Sequence, residues 1–213
     1  MLPKNLDALF LDFDGVVVES ANIKTQAFYE LYLPYGTEVA DNAKNYHLQY
    51  QGVNRYKKFE EIHKLFLNRA CLEDEKEKLS TKFSEIVFEK IIEAPLVEGV
   101  LGFLREMQKQ VIPIFLLSAT PHEELLGICK ERKILSYFKG AYGAPYEKSA
   151  MGKKIISDYH FNKESIIFIG DSLSDFKAAS TIDITFVGRV PDGEENPFDS
   201  SIKTITNFLE LIQ

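Results

Sequence analysis

The sequence has little cysteine and no long apolar run. Its two cysteines, Cys71 and Cys129, lie far apart among 213 residues and match no metal-ligand spacing. They are compatible with a reducing compartment. No apolar segment approaches the ~20 residues that a membrane-spanning helix needs. The N-terminal stretch MLPKNLDALF lacks the basic and apolar regions of a secretory signal, so we expect a cytoplasmic protein with no membrane partner.

The sequence also lacks an excess of positive charge. It contains 25 lysines and arginines against 32 aspartates and glutamates, which gives a net charge of −7. A general nucleic-acid binder needs a basic surface, so the composition argues against a nucleic-acid partner. A small anionic substrate remains compatible with the composition, because a few lysines and a divalent metal can reverse the charge locally.

The chain has enough apolar residues to form a hydrophobic core, and they occur in short runs that alternate with segments of helical pattern. Hydrophobic residues make up 45% of the sequence. The alternation is typical of a parallel β-sheet that is covered by helices on both faces. We therefore expect an α/β fold with a Rossmann-like parallel sheet. The predicted strands are residues 8–11, 111–117, 141–142, 165–169 and 182–187, and residues 207–212 are predicted to form a closing helix.

Residues 20–93 interrupt this alternation because they contain no strand-like run. Phe59, Ile62, His63 and Phe66 follow helical spacing, and the whole segment is predicted to be helical. It lies between the first and second predicted strands. The sequence therefore predicts a core domain of residues 1–17 and 96–213, with an all-helical domain of residues 18–95 inserted into it.

Two aspartates follow the first predicted strand, in the motif Asp12-Phe13-Asp14-Gly15. Side chains two residues apart in extended chain lie on the same side, so both carboxylates can serve one site. Neighbouring carboxylates repel each other unless a cation or a shared proton stabilises them. Mg²⁺ prefers oxygen ligands and combines a few carboxylates with substrate phosphate and water. The structural alternative is a strand end followed by an acidic turn.

The second and third polar segments also follow predicted strands. Ser118 and Ala119 come after the second predicted strand. The Ser118 hydroxyl and the backbone amides that follow can form an anion site. The alternative is that this segment only caps the N-terminus of the next helix. Asp171 and Asp175 follow the strand at 165–169. Asp175 could equally cap the next helix. Lys148 ends a loop that leads into a further predicted helix and could balance these aspartates, whereas a single lysine is usually a solvated surface group.

Together, these motifs resemble the haloacid dehalogenase superfamily, most of whose members transfer or hydrolyse phosphoryl groups. The resemblance rests on Asp12, Asp14, Ser118, Lys148 and the GDSxxD segment, in this order along the chain. The helical insertion directly after DxDG resembles the α-helical C1 cap of the β-phosphoglucomutase and phosphoglycolate phosphatase branch.

The resemblance implies a role for each matching residue. Asp12 would be the nucleophile, and Asp14 the general acid and base. Mg²⁺ would be held by Asp12, the backbone carbonyl of Asp14 and Asp171, with Asp175 as a ligand or a supporting residue. Ser118, Ala119 and Lys148 would bind the phosphoryl group.

Two residues of the insertion bear on the substrate. Gly52-Val53-Asn54-Arg55 resembles the loop that such caps present to the site, where Arg55 could bind substrate oxygens; a solvated helix start is the alternative. Lys24 occupies a position where phosphomutases of this branch usually have histidine. This departure favours a hydrolase, in which Lys24 could meet an anionic part of the substrate.

The sequence therefore predicts a Mg²⁺-dependent phosphatase that acts on a small phosphorylated metabolite, a sugar phosphate in particular, as a monomer or weak homodimer. The alternatives are a β-phosphoglucomutase-like phosphomutase and a non-catalytic module that binds metal or phosphate. A receiver-like phosphoacceptor domain is disfavoured by the helical insertion. Dehalogenation is disfavoured because dehalogenases of the superfamily lack an aspartate at the position of Asp14.

Overall fold

A six-stranded parallel β-sheet forms the centre of the molecule. The computed structural model describes residues 5–212, so the first four residues of the predicted core domain and of the N-terminal stretch, and residue 213, lie outside the described part. The strands are β1 (Ala8–Leu11), β2 (Ile114–Pro121), β3 (Gly140–Ala144), β4 (Ile166–Gly170), β5 (Thr185–Arg189) and β6 (Thr204–Ile205). Their order across the sheet is β3-β2-β1-β4-β5-β6. The α/β prediction is confirmed.

Strand β1 is completely buried because it lies between β2 and β4 and has helices on both faces. Its side chains alternate between two hydrophobic clusters: Leu9 and Leu11 belong to one, whereas Ala8 and Phe10 belong to the other. The second cluster includes residues of α7 (Lys148–Tyr159) and α8 (Leu173–Ile182). This burial on both faces explains why the strand is a continuous apolar run.

Four helices follow β1 along the chain: α1 (Ala21–Tyr32), α2 (Thr37–Gln49), α3 (Arg55–Phe66) and α4 (Glu73–Glu93). Phe28, Phe59 and Phe83 pack together at their centre, and the ring centroids of Phe59 and Phe83 lie 5.9 and 4.9 Å from that of Phe28. The helices α5 (Val100–Lys109) and α6 (His122–Glu131) then flank β2. The chain thus contains the predicted helical insertion.

The two connections between the insertion and the sheet run side by side. The Val97 N–H donates to the Val17 carbonyl at 3.1 Å, and the Glu19 N–H donates to the Pro95 carbonyl at 3.0 Å. The division of the chain into domains at residues 17/18 and 95/96 stays a prediction.

Two strand predictions began too early because the chain is still ending a helix there. Val111 has φ +60° and is 84% exposed, and the next N–H donates back to the Met107 carbonyl. This is a left-handed helix C-terminus, so β2 begins only at Ile114. Ile182 likewise ends α8, and Asp183 has φ +66° before β5 begins at Thr185.

The closing helix predicted at 207–212 is also wrong as an α-helix. The structure has a single 3-10 turn at Phe208–Leu211, which Asn207 caps by accepting a hydrogen bond from the Leu209 N–H at 3.0 Å. Within residues 5–212, no helix combines the length and apolar character that crossing a membrane requires.

Candidate functional site

The predicted site residues converge where β1, β2 and β4 end. These three strands are neighbours in the sheet, so the side chains at their carboxyl ends meet at one edge. Asp12 follows β1 and Asp171 follows β4. Ser118 was expected after the second strand, but it lies within β2, which continues to Pro121. Lys148 is the first residue of α7.

Three carboxylates form a compact group at this edge. Oxygens of Asp12, Asp171 and Asp175 all lie within 4.8 Å of one another. The Lys148 Nζ is 3.0 Å from Asp12 Oδ1 and 2.5 Å from Asp175 Oδ1. Burial, reinforced by the charge of Asp175, raises the pKa of Asp12 to about 7, although Lys148 opposes this rise. Burial and the charges of Asp12 and Asp175 raise the pKa of Asp171 well above its usual value.

Asp175 both caps a helix and belongs to this group, so the two interpretations of the sequence are compatible. Its Oδ2 accepts hydrogen bonds from the Ser172 N–H at 3.2 Å and the Ser172 hydroxyl at 2.6 Å, while Oδ1 faces Lys148. The capping contacts hold the carboxylate at the start of α8. Both of its oxygens therefore have a protein partner.

Asp14 lies in a different environment from Asp12. Its carboxylate accepts hydrogen bonds from the Ser20 hydroxyl at 2.7 Å and the Thr120 hydroxyl at 2.9 Å, and it is paired with the Lys24 ammonium. Burial alone would raise the pKa of Asp14, but the charge and hydrogen bond of Lys24 and the two hydroxyls outweigh it, so the pKa lies below its usual value. The two neighbouring carboxyls thus have opposite pKa shifts.

A glycine at position 15 makes the turn after Asp14 possible. Gly15 has φ +71°, and a Cβ atom at this position would lie 1.9 Å from Asp171 Oδ2. Any other residue would therefore displace a member of the carboxylate group.

A cavity of about 60 Å³ separates these aspartates from the helical insertion. The strand ends and the segments after them contribute Asp12, Asp14, Ala119, Thr120 and Asp171 to its lining. The insertion contributes charged, aromatic and small residues, among them Lys24, Phe28, His47, Gly52, Arg55, Lys58 and Phe83.

The structure brings both predicted insertion residues to this cavity, but each already has a partner. Lys24 contacts Asp14 and donates to the Thr120 hydroxyl at 2.7 Å. Arg55 donates to Glu124 Oε1 of α6 at 2.7 Å, and its guanidinium lies 4.5 Å from the centre of the Phe83 ring. Arg55 is therefore a buried link between the insertion and the sheet domain rather than part of a solvated helix start.

Ser118 and Ala119 lie beside the cavity in different ways. Ser118 is buried, and its hydroxyl oxygen accepts a hydrogen bond from the Thr120 N–H at 3.1 Å. Ala119 lines the cavity. Their predicted role in binding a phosphoryl group stays a prediction.

Among the cavity residues that the sequence analysis missed are Thr120, Lys58 and His47. Thr120 follows Ser118 by two residues, and the alternation argument used for Asp12 and Asp14 would have found it. Lys58 follows Arg55 by three residues on α3 and so lies on the same helix face. His47 on α2 has no such signal, because its position beside Lys58 depends on how the helices pack.

A family model described as haloacid dehalogenase-like hydrolase matches residues 9–189. No curated protein matches the chain.

Several solved structures share the fold. β-Phosphoglucomutase from Clostridium difficile is 19% identical with a TM-score of 0.75, over 97% of this chain and 93% of that protein. A predicted phosphoglycolate phosphatase from Haemophilus somnus is 16% identical with a TM-score of 0.74, over 99% of both chains. YfnB from Bacillus subtilis, described as bound to magnesium, is 14% identical with a TM-score of 0.71, over 98% of this chain and 97% of that one.

Proposed function

The chain belongs to the haloacid dehalogenase-like hydrolase family, and on this premise we propose that it is a Mg²⁺-dependent phosphatase of small phosphorylated metabolites. One observation carries the proposal: Asp12 and Asp14, two residues apart, have different surroundings, because Asp12 lies with Lys148 in the carboxylate group whereas Asp14 is bound by Lys24, Ser20 and Thr120. Neighbouring carboxyls in unlike environments are typical of a division between nucleophile and acid–base roles. The solved phosphatase and phosphomutase structures of the same fold are consistent with phosphoryl chemistry.

Asp12 is the proposed nucleophile. Its carboxylate oxygen attacks phosphorus while the bond to the leaving alcohol oxygen breaks, which gives an aspartyl-phosphate. Asp14 donates a proton to that leaving oxygen. Water then attacks the aspartyl-phosphate as Asp14 accepts its proton, and the release of phosphate regenerates Asp12.

The lowered pKa of Asp14 suits the second half of this reaction, in which it must be ionised. The first half requires the protonated acid. Lys24 lies on α1 of the insertion, so movement of the insertion away from the sheet would separate it from Asp14 and raise the pKa of that carboxyl.

The group of buried carboxylates fits Mg²⁺ because it offers only oxygen ligands, all close together. We assign Asp12 and Asp171, with the backbone carbonyl of Asp14, as the residues that would hold the ion. Asp175 would position Lys148 and the start of α8, because both of its oxygens already accept hydrogen bonds. A bound ion would offset negative charge on the phosphoryl oxygens. Ser118, the Ala119 amide and Lys148 are the proposed donors to those oxygens.

The substrate is proposed to be small, a sugar phosphate in particular, because the cavity has a volume of about 60 Å³. A phosphate-release assay over sugar phosphates, phosphoglycolate and nucleotides, with Mg²⁺ or with EDTA, tests the proposal. Asp12→Asn should lower turnover by at least about 10³-fold and should leave no phosphoryl adduct in acid-quenched protein. Asp158→Asn, which alters an exposed aspartate paired with Lys154, is the matched control.

A phosphomutase is the second candidate, favoured by the fold shared with β-phosphoglucomutase. Lys24 in contact with Asp14 is the feature that separates this chain from the usual mutase pattern. Incubation with hexose 1-phosphates distinguishes the two. Formation of the 6-phosphate isomer without release of phosphate would refute the phosphatase proposal.

A further inference from the structure

Lys58 is a buried cation that lines the cavity beside the catalytic aspartates. It lies on α3 and is 2% exposed. Its Nζ lies 2.9 Å from His47 Nδ1 and 5.4 Å from the centre of the Phe28 ring. Burial, followed by the charge of Lys24, lowers the pKa of Lys58 to about 7, although Asp14 and Asp171 oppose this shift.

Lys58 differs from the other buried lysine and arginine side chains because it does not contact a carboxylate in the described part of the chain. Four lysine and arginine side chains are buried within residues 5–212, and three contact a carboxylate: Arg55 with Glu124, Lys148 with Asp12 and Asp175, and Arg189 with Glu19. The polar contact of Lys58 in this part of the chain is a histidine nitrogen instead of a carboxylate.

His47 provides no negative charge to compensate Lys58. Burial and the charge of Lys58 hold the pKa of His47 well below its usual value, so the ring is neutral and Nδ1 can accept a hydrogen bond from the ammonium. The ring is stacked on Phe28, with centroids 4.5 Å apart. This arrangement orients Lys58 but leaves its charge unpaired, which is costly inside a protein.

We propose that Lys58, oriented by His47, binds a second anionic group on the leaving portion of the substrate. This inference rests on the proposed phosphatase function and narrows its substrate to phosphorylated compounds that carry another negative charge. Lys58, Asp12 and Asp14 line one cavity, so a short molecule can contact both Lys58 and the aspartates. The volume of about 60 Å³ corresponds to roughly four to six water molecules, which favours a carboxylate over a second phosphate.

The two cations that the sequence analysis favoured for this role are less suitable. Lys24 is paired with Asp14, and Arg55 with Glu124. A substrate anion would have to compete with a protein carboxylate for either of them. At Lys58 the substrate would supply the counterion that the protein lacks.

A binding experiment tests the inference without requiring turnover. Calorimetric titration should compare 3-phosphonopropionate with propylphosphonate, which differ in the terminal carboxylate, and with propane-1,3-bisphosphonate. The unsubstituted protein should bind the carboxylate-bearing compound about 10- to 100-fold more tightly than propylphosphonate. Lys58→Met should remove this preference and should change the affinity for propylphosphonate much less than that for 3-phosphonopropionate. A preference for the bisphosphonate that is lost in Lys58→Met would identify the second anion as a phosphate.

Two variants serve as controls. Lys64→Met removes an exposed lysine of the same helix, so it should keep the preference. Lys58→Arg retains the positive charge, so it should keep part of the preference for the carboxylate-bearing compound. Thermal unfolding should show Lys58→Met to be at least as stable as the unsubstituted protein, because an unpaired buried charge is removed.

Equal affinity of the unsubstituted protein for all three compounds would overturn the inference. So would a Lys58→Met variant that loses affinity for all of them equally. Turnover of 2-phosphoglycolate against ethylene glycol monophosphate separates the two proposals. If neither is hydrolysed, and no other phosphate ester is, the phosphatase proposal fails while the binding test still decides on Lys58. If both are hydrolysed equally well, only the inference about Lys58 fails.

Discussion

Replacement of Lys148 by methionine would remove the cation that lies within the carboxylate group of the site. Lys148 contacts Asp12 at 3.0 Å and Asp175 at 2.5 Å, and all three side chains are buried. Without it, the carboxylates of Asp12, Asp171 and Asp175 would remain within 4.8 Å of one another with no cation between them. We expect this variant to be strongly destabilised when divalent ions are absent.

The expected loss of unfolding free energy follows from the burial of Lys148 and its carboxylate partners. Removal of one partner of a buried ion pair costs about 3–5 kcal/mol of unfolding free energy. For a chain of 213 residues this corresponds to a decrease in Tm of about 6–20 °C. An ion present at 100 times its Kd stabilises a folded protein by about 2.7 kcal/mol, so Mg²⁺ should restore a large part of the loss.

Thermal unfolding followed by circular dichroism, in EDTA and in Mg²⁺, provides the assay. Lys154→Met on the same helix is the control, because Lys154 pairs with Asp158 at the surface and its loss should change stability by no more than about 0.5 kcal/mol. A Lys148→Met protein as stable as the unsubstituted one in EDTA would refute the reasoning on charge. A deficit that Mg²⁺ leaves unchanged would contradict the assignment of Asp12 and Asp171 as ion ligands.

Three further predictions concern the insertion. Gly52→Ala should lower kcat about 10- to 100-fold and Tm by at least about 2 °C, because Gly52 has φ +70° and a Cβ atom would lie 2.1 Å from Ser174 Oγ across the contact between insertion and sheet domain. Glu124→Met should lower the unfolding free energy in urea by about 3–5 kcal/mol by leaving Arg55 unpaired, and the double variant with Arg55→Met should be less destabilised than that. The affinity for 3-phosphonopropionate should fall as the pH rises through about 7, because Lys58 is protonated only below its lowered pKa. Propylphosphonate should lack this contribution of Lys58, so the ratio of the two affinities should fall between pH 6 and pH 8, which calorimetry at both pH values measures.

Each of these predictions can be contradicted directly. A Gly52→Ala enzyme with normal kcat would show that the close approach at this loop does not matter for turnover. A double variant of Arg55 and Glu124 that loses as much stability as both single losses together would exclude coupling between them. Identical pH profiles for the two phosphonates would exclude Lys58 as the titrating group.

The geometry of the carboxylate group could be predicted from the sequence because it depends on local features. Asp12 and Asp171 each end an apolar strand, and parallel strands bring their carboxyl ends to one edge. The pairing of Arg55 with Glu124, in contrast, joins residues 69 positions apart and depends on how the insertion rests on α6. The environment of Lys58 also depends on packing. Its helical spacing from Arg55 predicts that both residues lie on one face of α3, but it does not predict which residues that face contacts.

The misplaced strand boundaries have one physical cause. Val111 and Ile182 are apolar residues in front of true strands, and hydrophobicity alone assigned them to those strands. In both cases the chain first completes a helix through a left-handed residue, Val111 itself and Asp183. β-Branched residues rarely adopt this conformation, so the pattern gave no warning at Val111.

The charges that the insertion brings to the sheet suggest how a substrate is selected. Lys24 and Arg55 meet Asp14 and Glu124 of the sheet domain, so these contacts favour the closed arrangement whether or not a substrate is present. Lys58 comes to the same cavity without such a partner. A phosphate ester with a neutral leaving portion would therefore close the cavity over an unpaired ammonium, whereas one with a second anion would complete the pairing. Because the unpaired charge penalises the wrong substrate, discrimination would come from this cost as much as from the added contact.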